Sequence, residues 1–282
     1  RSVAGPRGVE ADRPFVRAVE YGSVDLGQLC FARGLRIVED GAAADVIISH
    51  HNAGSARFLV DYVRETIVGR GGVLNLSEVS RMTDDSALIL GNYLRQEADS
   101  RVNQMNVWLR GGTTRVNAKT DLEGHGADSN LHGLWFGTGN ERTDVTMRVN
   151  HLVPDCQSYE MVKGVVSQEA AGAFTGMVYV AKDAQRTLAL QQSRNLLMSE
   201  AAKIYTEPQL EIYADDVKCS HGATVGQMDT EAIYYMRQRG ISEEDARRLQ
   251  MFGFVNYVIS RCPHGETCNF MAALAEERIG EL

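Results

Sequence analysis

Short runs of β-branched and aromatic residues, separated by tight turns, recur over most of the chain. Ile37-Val38 is followed by Glu39-Asp40-Gly41, and Ile67-Val68 is followed by Gly69-Arg70-Gly71-Gly72. Such runs favour strands, and glycine supplies the positive φ that tight turns require. The pattern therefore predicts a series of short strands that begins near Leu35.

Alternation of apolar and polar positions supports the same prediction. It is visible in Val145-Thr146-Met147-Arg148-Val149 and again in Leu210-Glu211-Ile212-Tyr213. Between residues 35 and 225 only Phe58 to Arg64 resembles an amphipathic helix, and that segment suits a strand equally well. So long a run of strands predicts a sandwich, a barrel or a β-solenoid. The turns recur without a strict period, so a solenoid with irregular repeats remains one of these alternatives. The end turns of a solenoid need a cap or a partner chain.

Helix signals follow residue 228. Asp229 or Thr230 can cap a first helix, which Gly240 ends. Ser242 begins a second helix with an acidic first turn, and a last helix runs from about Glu266 to Ile279. The second helix has a broad apolar face: Leu249, Phe252, Val255, Tyr257, Val258 and Ile259. These helices are expected either to pack on the end of the β region or to dock a partner.

Composition and charge narrow the classes of function. The 282 residues are 44% apolar and 23% charged, as in ordinary globular proteins, and the net charge is −8. An acidic balance argues against nucleic acid as a partner, because phosphate contacts need clustered Lys and Arg. No apolar run approaches the roughly 18 residues that span a bilayer, and no signal-peptide pattern is present. We therefore expect a cytoplasmic protein without a membrane partner; since the first residue is Arg1 and not Met, we also expect that part of an N-terminal region is missing.

The cysteines do not suggest a disulfide framework. There are five, widely spread: Cys30, Cys156, Cys219, Cys262 and Cys268. An odd number favours free thiols in a reducing compartment. Only Cys262, His264 and Cys268 are close enough in sequence to suggest a metal clip. They lack the spacing of common zinc sites, so a loop between two helices is the simpler interpretation.

Several segments resemble a known family. The most specific is 208–226, which contains Val217-Lys218-Cys219-Ser220-His221-Gly222-Ala223-Thr224-Val225-Gly226. Shorter matches are Arg194-Asn195-Leu196-Leu197-Met198-Ser199, Lys163-Gly164-Val165-Val166, Pro154-Asp155-Cys156-Gln157-Ser158, His132-Gly133-Leu134 and the helical tail from Gly240 to Val255. Together they resemble the SufB/SufD family of iron–sulfur cluster assembly proteins. The resemblance begins near Leu35 and is dense after Asp144.

The resemblance implies a mainly β fold and a set of partners. It implies a right-handed parallel β-helix (β-solenoid) core at 31–228, a small C-terminal helical domain at 229–282, and a remnant N-terminal segment at 1–30. It implies pairing with SufB through the β-helices and binding of the SufC ATPase through the C-terminal helices. A transient iron–sulfur cluster would be shared with SufB, ATP would act only through SufC, and no cofactor would be firmly bound to this chain. A homodimer stays an open alternative when the partner is absent, since the same β-helix edge could pair with itself.

Two residues of the main motif are candidate ligands. By the resemblance, the histidine implicated at the shared interface maps onto His221, and Cys219 lies in the same motif. Gly222 fits the SufD branch better than the SufB branch, where Glu is expected. On a strand, Cys219 and His221 would share one face. Imidazole can replace thiolate as an iron ligand, but two ligands cannot hold a cluster, so others must come from another chain.

The remaining histidines and the absence of known catalytic motifs limit the alternative functions. Structural roles are expected for His50, His51, His125, His132 and His151, and a hydrogen-bonded imidazole in a turn remains an alternative for His221. The sequence contains no P-loop and no recognisable nucleophile–base–acid set. We therefore predict a non-catalytic subunit. The alternatives are a SufB-like primary scaffold or, less well supported, a β-helix carbohydrate-active enzyme.

Overall fold

A computed structural model describes the backbone of residues 3–5, 15–22, 28–53 and 57–282, and the side chains of 29–52 and 57–282. The described strands alternate between two parallel sheets, so that each turn of the chain adds one strand to each sheet. This arrangement is a parallel β-solenoid, and it confirms the predicted fold class. The sandwich and the barrel are both excluded, because every described strand pair is parallel and neighbouring strands in a sheet are never consecutive in sequence.

Each sheet has eight strands among the described residues. Sheet A consists of β1 (Val3–Gly5), β3 (Gln28–Val38), β5 (Phe58–Val68), β7 (Ala87–Gln96), β9 (Thr113–Leu122), β11 (Arg142–His151), β13 (Ala171–Val180) and β15 (Lys203–Ile212). Sheet B consists of β2 (Phe15–Gly22), β4 (Ala43–Ala53), β6 (Val73–Arg81), β8 (Arg101–Arg110), β10 (Asp128–Gly137), β12 (Gln157–Val166), β14 (Thr187–Leu197) and β16 (Val217–Gly226). The segment with ambiguous periodicity, Phe58 to Arg64, is a strand. The domain boundaries at residues 30 and 228 stay predictions.

The space between the sheets is filled by the inward-facing residues of both. In β5, buried and half-buried positions alternate over the whole strand. The largest buried side chain is Trp135 of β10, and two glycines make room for its indole. A Cβ atom would lie 2.4 Å from the ring at Gly164 and 2.0 Å from it at Gly172. The core therefore needs glycine at these positions for space and not for an unusual backbone conformation.

Three helices follow the last strand. They are α1 (Thr230–Gln238), α2 (Glu243–Ile259) and α3 (Gly265–Ile279). The predicted caps are confirmed: Asp229 accepts a hydrogen bond from the backbone N–H of Ala232, and Ser242 accepts one from Asp245. Gly240 follows α1 with a φ of +87°, which glycine adopts without strain. No helix in the described part of the chain is long and apolar enough to cross a membrane.

Helices α2 and α3 cover the outer face of sheet B. Val255, Val258 and Met271 pack against outward-facing residues of β8, β10 and β12, which are consequently buried on both faces. The Lys163 ammonium donates a 2.6 Å hydrogen bond to the Phe254 carbonyl oxygen and lies 4.2 Å from the centre of that ring. The helices thus lie along the flank of the solenoid, and the expectation that they pack on its end is wrong. The outer face of sheet B and the facing sides of α2 and α3 are both apolar, and burying these two faces against each other favours packing on the flank.

Candidate functional site

The C-terminal end of the solenoid is open. Strands β15 and β16 are the last strands of their sheets, and each pairs with only one neighbour among the described strands. From Ser220 to Gly226 every residue of β16 is exposed, whereas the corresponding part of β14 is mostly buried. Unpaired strand edges carry free backbone donors and acceptors, so this end is suited to pair with further β-structure.

Cys219 and His221 lie on the inner face of this open end. In the register of the sheet, Cys219 is next to Ala189 and His221 is next to Gln191. Ala189 and Gln191 are both buried and point between the sheets. Because residues in register share a face, Cys219 and His221 point the same way, into the space between the two sheets at the open end.

The two side chains differ in accessibility. Cys219 is half-buried against the small apolar cluster around Val178 and Ala189, and burial raises the pKa of its thiol. His221 is exposed. The imidazole is therefore accessible to an incoming metal ion. Cys219 must first lose a proton that its surroundings help to retain.

A buried polar pair lies behind His221 and was missed in the sequence. Glu160, Gln191 and His221 occupy the same position on successive strands β12, β14 and β16. Gln191 donates a hydrogen bond from Nε2 to Oε2 of Glu160 over 3.2 Å, across 31 residues of sequence. Because the turns differ in length, no fixed spacing in the sequence shows this column. Only a correct strand register could have revealed it.

Four of the histidines that we expected to be structural, His50, His125, His132 and His151, are buried or contact a polar side chain; Nε2 of His125 lies 2.6 Å from Oδ2 of Asp155, and the fifth, His51, is half-buried. Nε2 of His50 lies 2.7 Å from Oε1 of Glu78, and Nε2 of His151 lies 2.9 Å from the Ser158 hydroxyl. Burial lowers the pKa of His132 and of His151 to about 4 in each case, so both imidazoles are neutral at physiological pH. These contacts are of the structural kind that we expected.

No group of three or more His, Cys, Asp or Glu side chains that could hold a metal ion occurs in the described part of the chain. The Cys262–Cys268 segment does not form a clip, because the Cys268 thiol donates to the Cys262 carbonyl oxygen and His264 lies beside Thr267. The pair Cys219 and His221 likewise needs donors from elsewhere to complete a tetrahedral iron site.

The structure is thus a parallel β-solenoid with Cys219 and His221 on its open end strand and with helices along its flank. The sequence matches the family model described as SUF system FeS cluster assembly, SufBD core domain, over residues 21–254. The chain therefore belongs to the SufB/SufD family of iron–sulfur cluster assembly proteins. This confirms the family that the motifs had suggested.

Named relatives agree with this family. The chain is 40% identical to the iron–sulfur cluster assembly protein SufD of Escherichia coli over 146 residues, which are 52% of this chain and 34% of that protein. It is 28% identical to a SufBD family protein of Mycobacterium leprae, covering 92% of this chain and 64% of the relative. It is 26% identical to SufD of Bacillus subtilis, covering 92% and 59% respectively. The matches thus span between 34% and 64% of the lengths of these three relatives.

Proposed function

We propose that this chain is a SufD-like, non-catalytic subunit that pairs with SufB through its open solenoid end and supports assembly of a nascent iron–sulfur cluster at that interface. The observation that carries the proposal is the position of Cys219 and His221 on the inner face of the exposed end strand. A partner solenoid that continues the two sheets would cover both side chains and bring its own ligands to them.

The chemistry of the two residues favours His221 as the leading ligand. Iron in clusters is held by thiolates, and neutral imidazole is the established substitute. His221 is exposed, whereas burial disfavours the thiolate form of Cys219. The cluster is cargo that is built and passed on. We accordingly assign no resident cofactor to this chain, and we expect it to act in the cytoplasm, where thiols stay reduced.

The helices supply a second docking surface for the SufC ATPase. The sides of the helices that face away from the solenoid carry large exposed side chains: Tyr234, Tyr235, Leu249 and Phe270. Such residues are common at protein interfaces, and their exposure supports a helical docking surface. ATP would act only through SufC. A homodimer through the open end is expected when SufB is absent, because the same strand edges can pair with a second copy.

The test is anaerobic cluster formation by the complex co-expressed with SufB and SufC. Variants His221→Ala and Cys219→Ala are compared with Ser220→Ala, which changes the residue between them that faces the opposite side of β16. We expect His221→Ala to lower iron content and visible absorbance strongly, Cys219→Ala to lower them less, and Ser220→Ala to leave them unchanged. Gel filtration must show that all three complexes stay assembled.

Two outcomes would contradict the proposal. Failure of the wild-type chain to co-purify with SufB and SufC would remove the subunit role. Unchanged cluster yield in an intact complex with His221→Ala would make the imidazole structural and would reduce the chain's role to holding its partners.

A further inference from the structure

A carboxyl group is buried inside the solenoid without a basic partner. Glu160 of β12 is fully buried between the sheets, and among the described residues its carboxyl group is hydrogen-bonded only to Gln191. No ion pair to Glu160 occurs in the described part of the chain. An isolated carboxylate in such a place is strongly disfavoured, so the group must either find a cation or stay protonated.

The geometry of the pair fits a protonated acid. Oε1 of Glu160 and Oε1 of Gln191 are both buried, and neither receives a hydrogen bond from the described residues. A proton on Oε1 of Glu160 would be donated to Oε1 of Gln191, while the amide N–H already reaches Oε2. The acid and the amide would then satisfy each other through two parallel hydrogen bonds. In agreement, burial raises the pKa of Glu160 to about 8.

The amide of Gln191 reaches the facing sheet. Gly176 of β13 lies opposite, and a Cβ atom there would come within 2.6 Å of the Gln191 side-chain amide. The side chain therefore crosses the interior and fills the space that a side chain at position 176 would need. This places the amide inside the solenoid, one strand away from the end strand.

His221 is the next residue in this column. It is in register with Gln191 on β16, where strands lie about 4.8 Å apart and residues in register share a face. The amide oxygen of Gln191 has a second lone pair after accepting from Glu160. Histidines that bind metals usually donate their other ring N–H to an oxygen, which determines the tautomer and the direction of the free lone pair.

We propose that Glu160 and Gln191 form a neutral acid–amide pair that positions the His221 imidazole. His221 makes no hydrogen bond to Gln191 in this structure, so the ring would turn inward, donate its inner N–H to Oε1 of Gln191 and leave the other nitrogen free toward the open end. Glu160 and Gln191 are positioning residues, and the inference rests on the proposed role of His221 as a ligand. Through this pair, the interior of the solenoid would fix the tautomer and orientation of the His221 imidazole before the partner chain binds.

The test uses the ¹⁵N-labelled chain without metal or partner. Long-range proton–nitrogen spectra, recorded above the imidazole pKa, report the tautomer of each histidine, and His221→Ala assigns the signal. We expect one dominant tautomer for His221 in the wild type. Glu160→Gln should keep it, because two amides can form the same pair of hydrogen bonds. Gln191→Leu should remove most of the shift difference between the two ring nitrogens. Signals of buried His132 and His151 report whether each variant is folded.

Gln191→Asn serves as the milder variant if Gln191→Leu does not fold, since it withdraws the amide by one methylene and keeps its chemistry. The infrared band of a protonated carboxyl should be present in the wild type and lost in Glu160→Gln. An unchanged His221 tautomer in folded Gln191→Leu or Gln191→Asn overturns the positioning role. Loss of the tautomer in Glu160→Gln overturns the neutral acid. Neither result depends on cluster formation, so failure here is distinguishable from failure of the proposed function.

Discussion

Replacing Arg64 with methionine removes the cation from a buried ionic group in the N-terminal half of the solenoid. Nη2 of Arg64 on β5 lies 2.6 Å from Oε2 of Glu78 on β6, and Nε2 of His50 lies 2.7 Å from the other carboxylate oxygen. The three side chains are between 0% and 2% exposed. Since Arg64 and Glu78 belong to opposite sheets, this contact ties the sheets together across the interior.

The expected loss of unfolding free energy follows from the burial of Arg64 and Glu78. Removing one partner of a buried pair costs about 3–5 kcal/mol, because the remaining charge is left without compensation. The contact between His50 and the Glu78 carboxylate remains in this variant, so we expect Arg64→Met to lie near the lower limit, about 3 kcal/mol. Burial alone would raise the pKa of Glu78, but Arg64 and His50 together hold it well below its usual range. The stabilisation is therefore present above the unfolded pKa of about 4 and is lost as the pH falls below it.

The assay is urea unfolding of the wild type, Arg64→Met, Glu78→Gln and the double variant. The double variant should be at least about 1 kcal/mol more stable than the sum of the single effects predicts, because both charges are then absent. A single-variant loss below about 1 kcal/mol, or strict additivity in the double variant, would refute the reasoning.

Two further predictions concern the core and the buried acid. Gly172→Ala places a methyl group 2.0 Å from the Trp135 ring, and we expect a loss of about 3 kcal/mol or more in unfolding free energy. For Glu160, the folded pKa of about 8 exceeds the unfolded value of roughly 4.3, so the folded state binds more protons between these values. The stability of the wild type relative to Glu160→Gln should therefore fall as the pH rises from about 4 to about 8, and should stay constant above that.

A control variant accompanies the glycine measurement, and the pH dependence itself tests the buried acid. Gly253→Ala in α2 meets no atom within 4 Å, so it should stabilise the chain by about 0.5–1 kcal/mol through helix propensity. If Gly172→Ala does not lower the thermal unfolding midpoint relative to Gly253→Ala, the prediction of close packing around the Trp135 ring is refuted. If the stability difference between the wild type and Glu160→Gln does not vary with pH, or grows in favour of the wild type at high pH, Glu160 is ionised in the folded protein.

Much of the architecture followed from local sequence. The turn at Gly69-Arg70-Gly71-Gly72 separates β5 from β6 as predicted, with Gly71 at a φ of +64°. The helix caps at Asp229 and Ser242 were readable because a cap depends on residues within one helical turn. The Cys219 and His221 motif was also readable, since neighbours on one strand need no tertiary information to share a face.

Only the tertiary structure decided what each of these elements packs against. The segment Phe58 to Arg64 suited a helix or a strand in isolation, and pairing with β3 and β7 makes it a strand. The helical face looked available for docking, yet its centre packs on the flank of the solenoid. The column that joins Glu160 to His221 forms because unequal turns happen to bring distant residues into register. Local patterns encode which way a side chain points along its own strand, but register between turns is a long-range contact, and that contact determined the surroundings of the site.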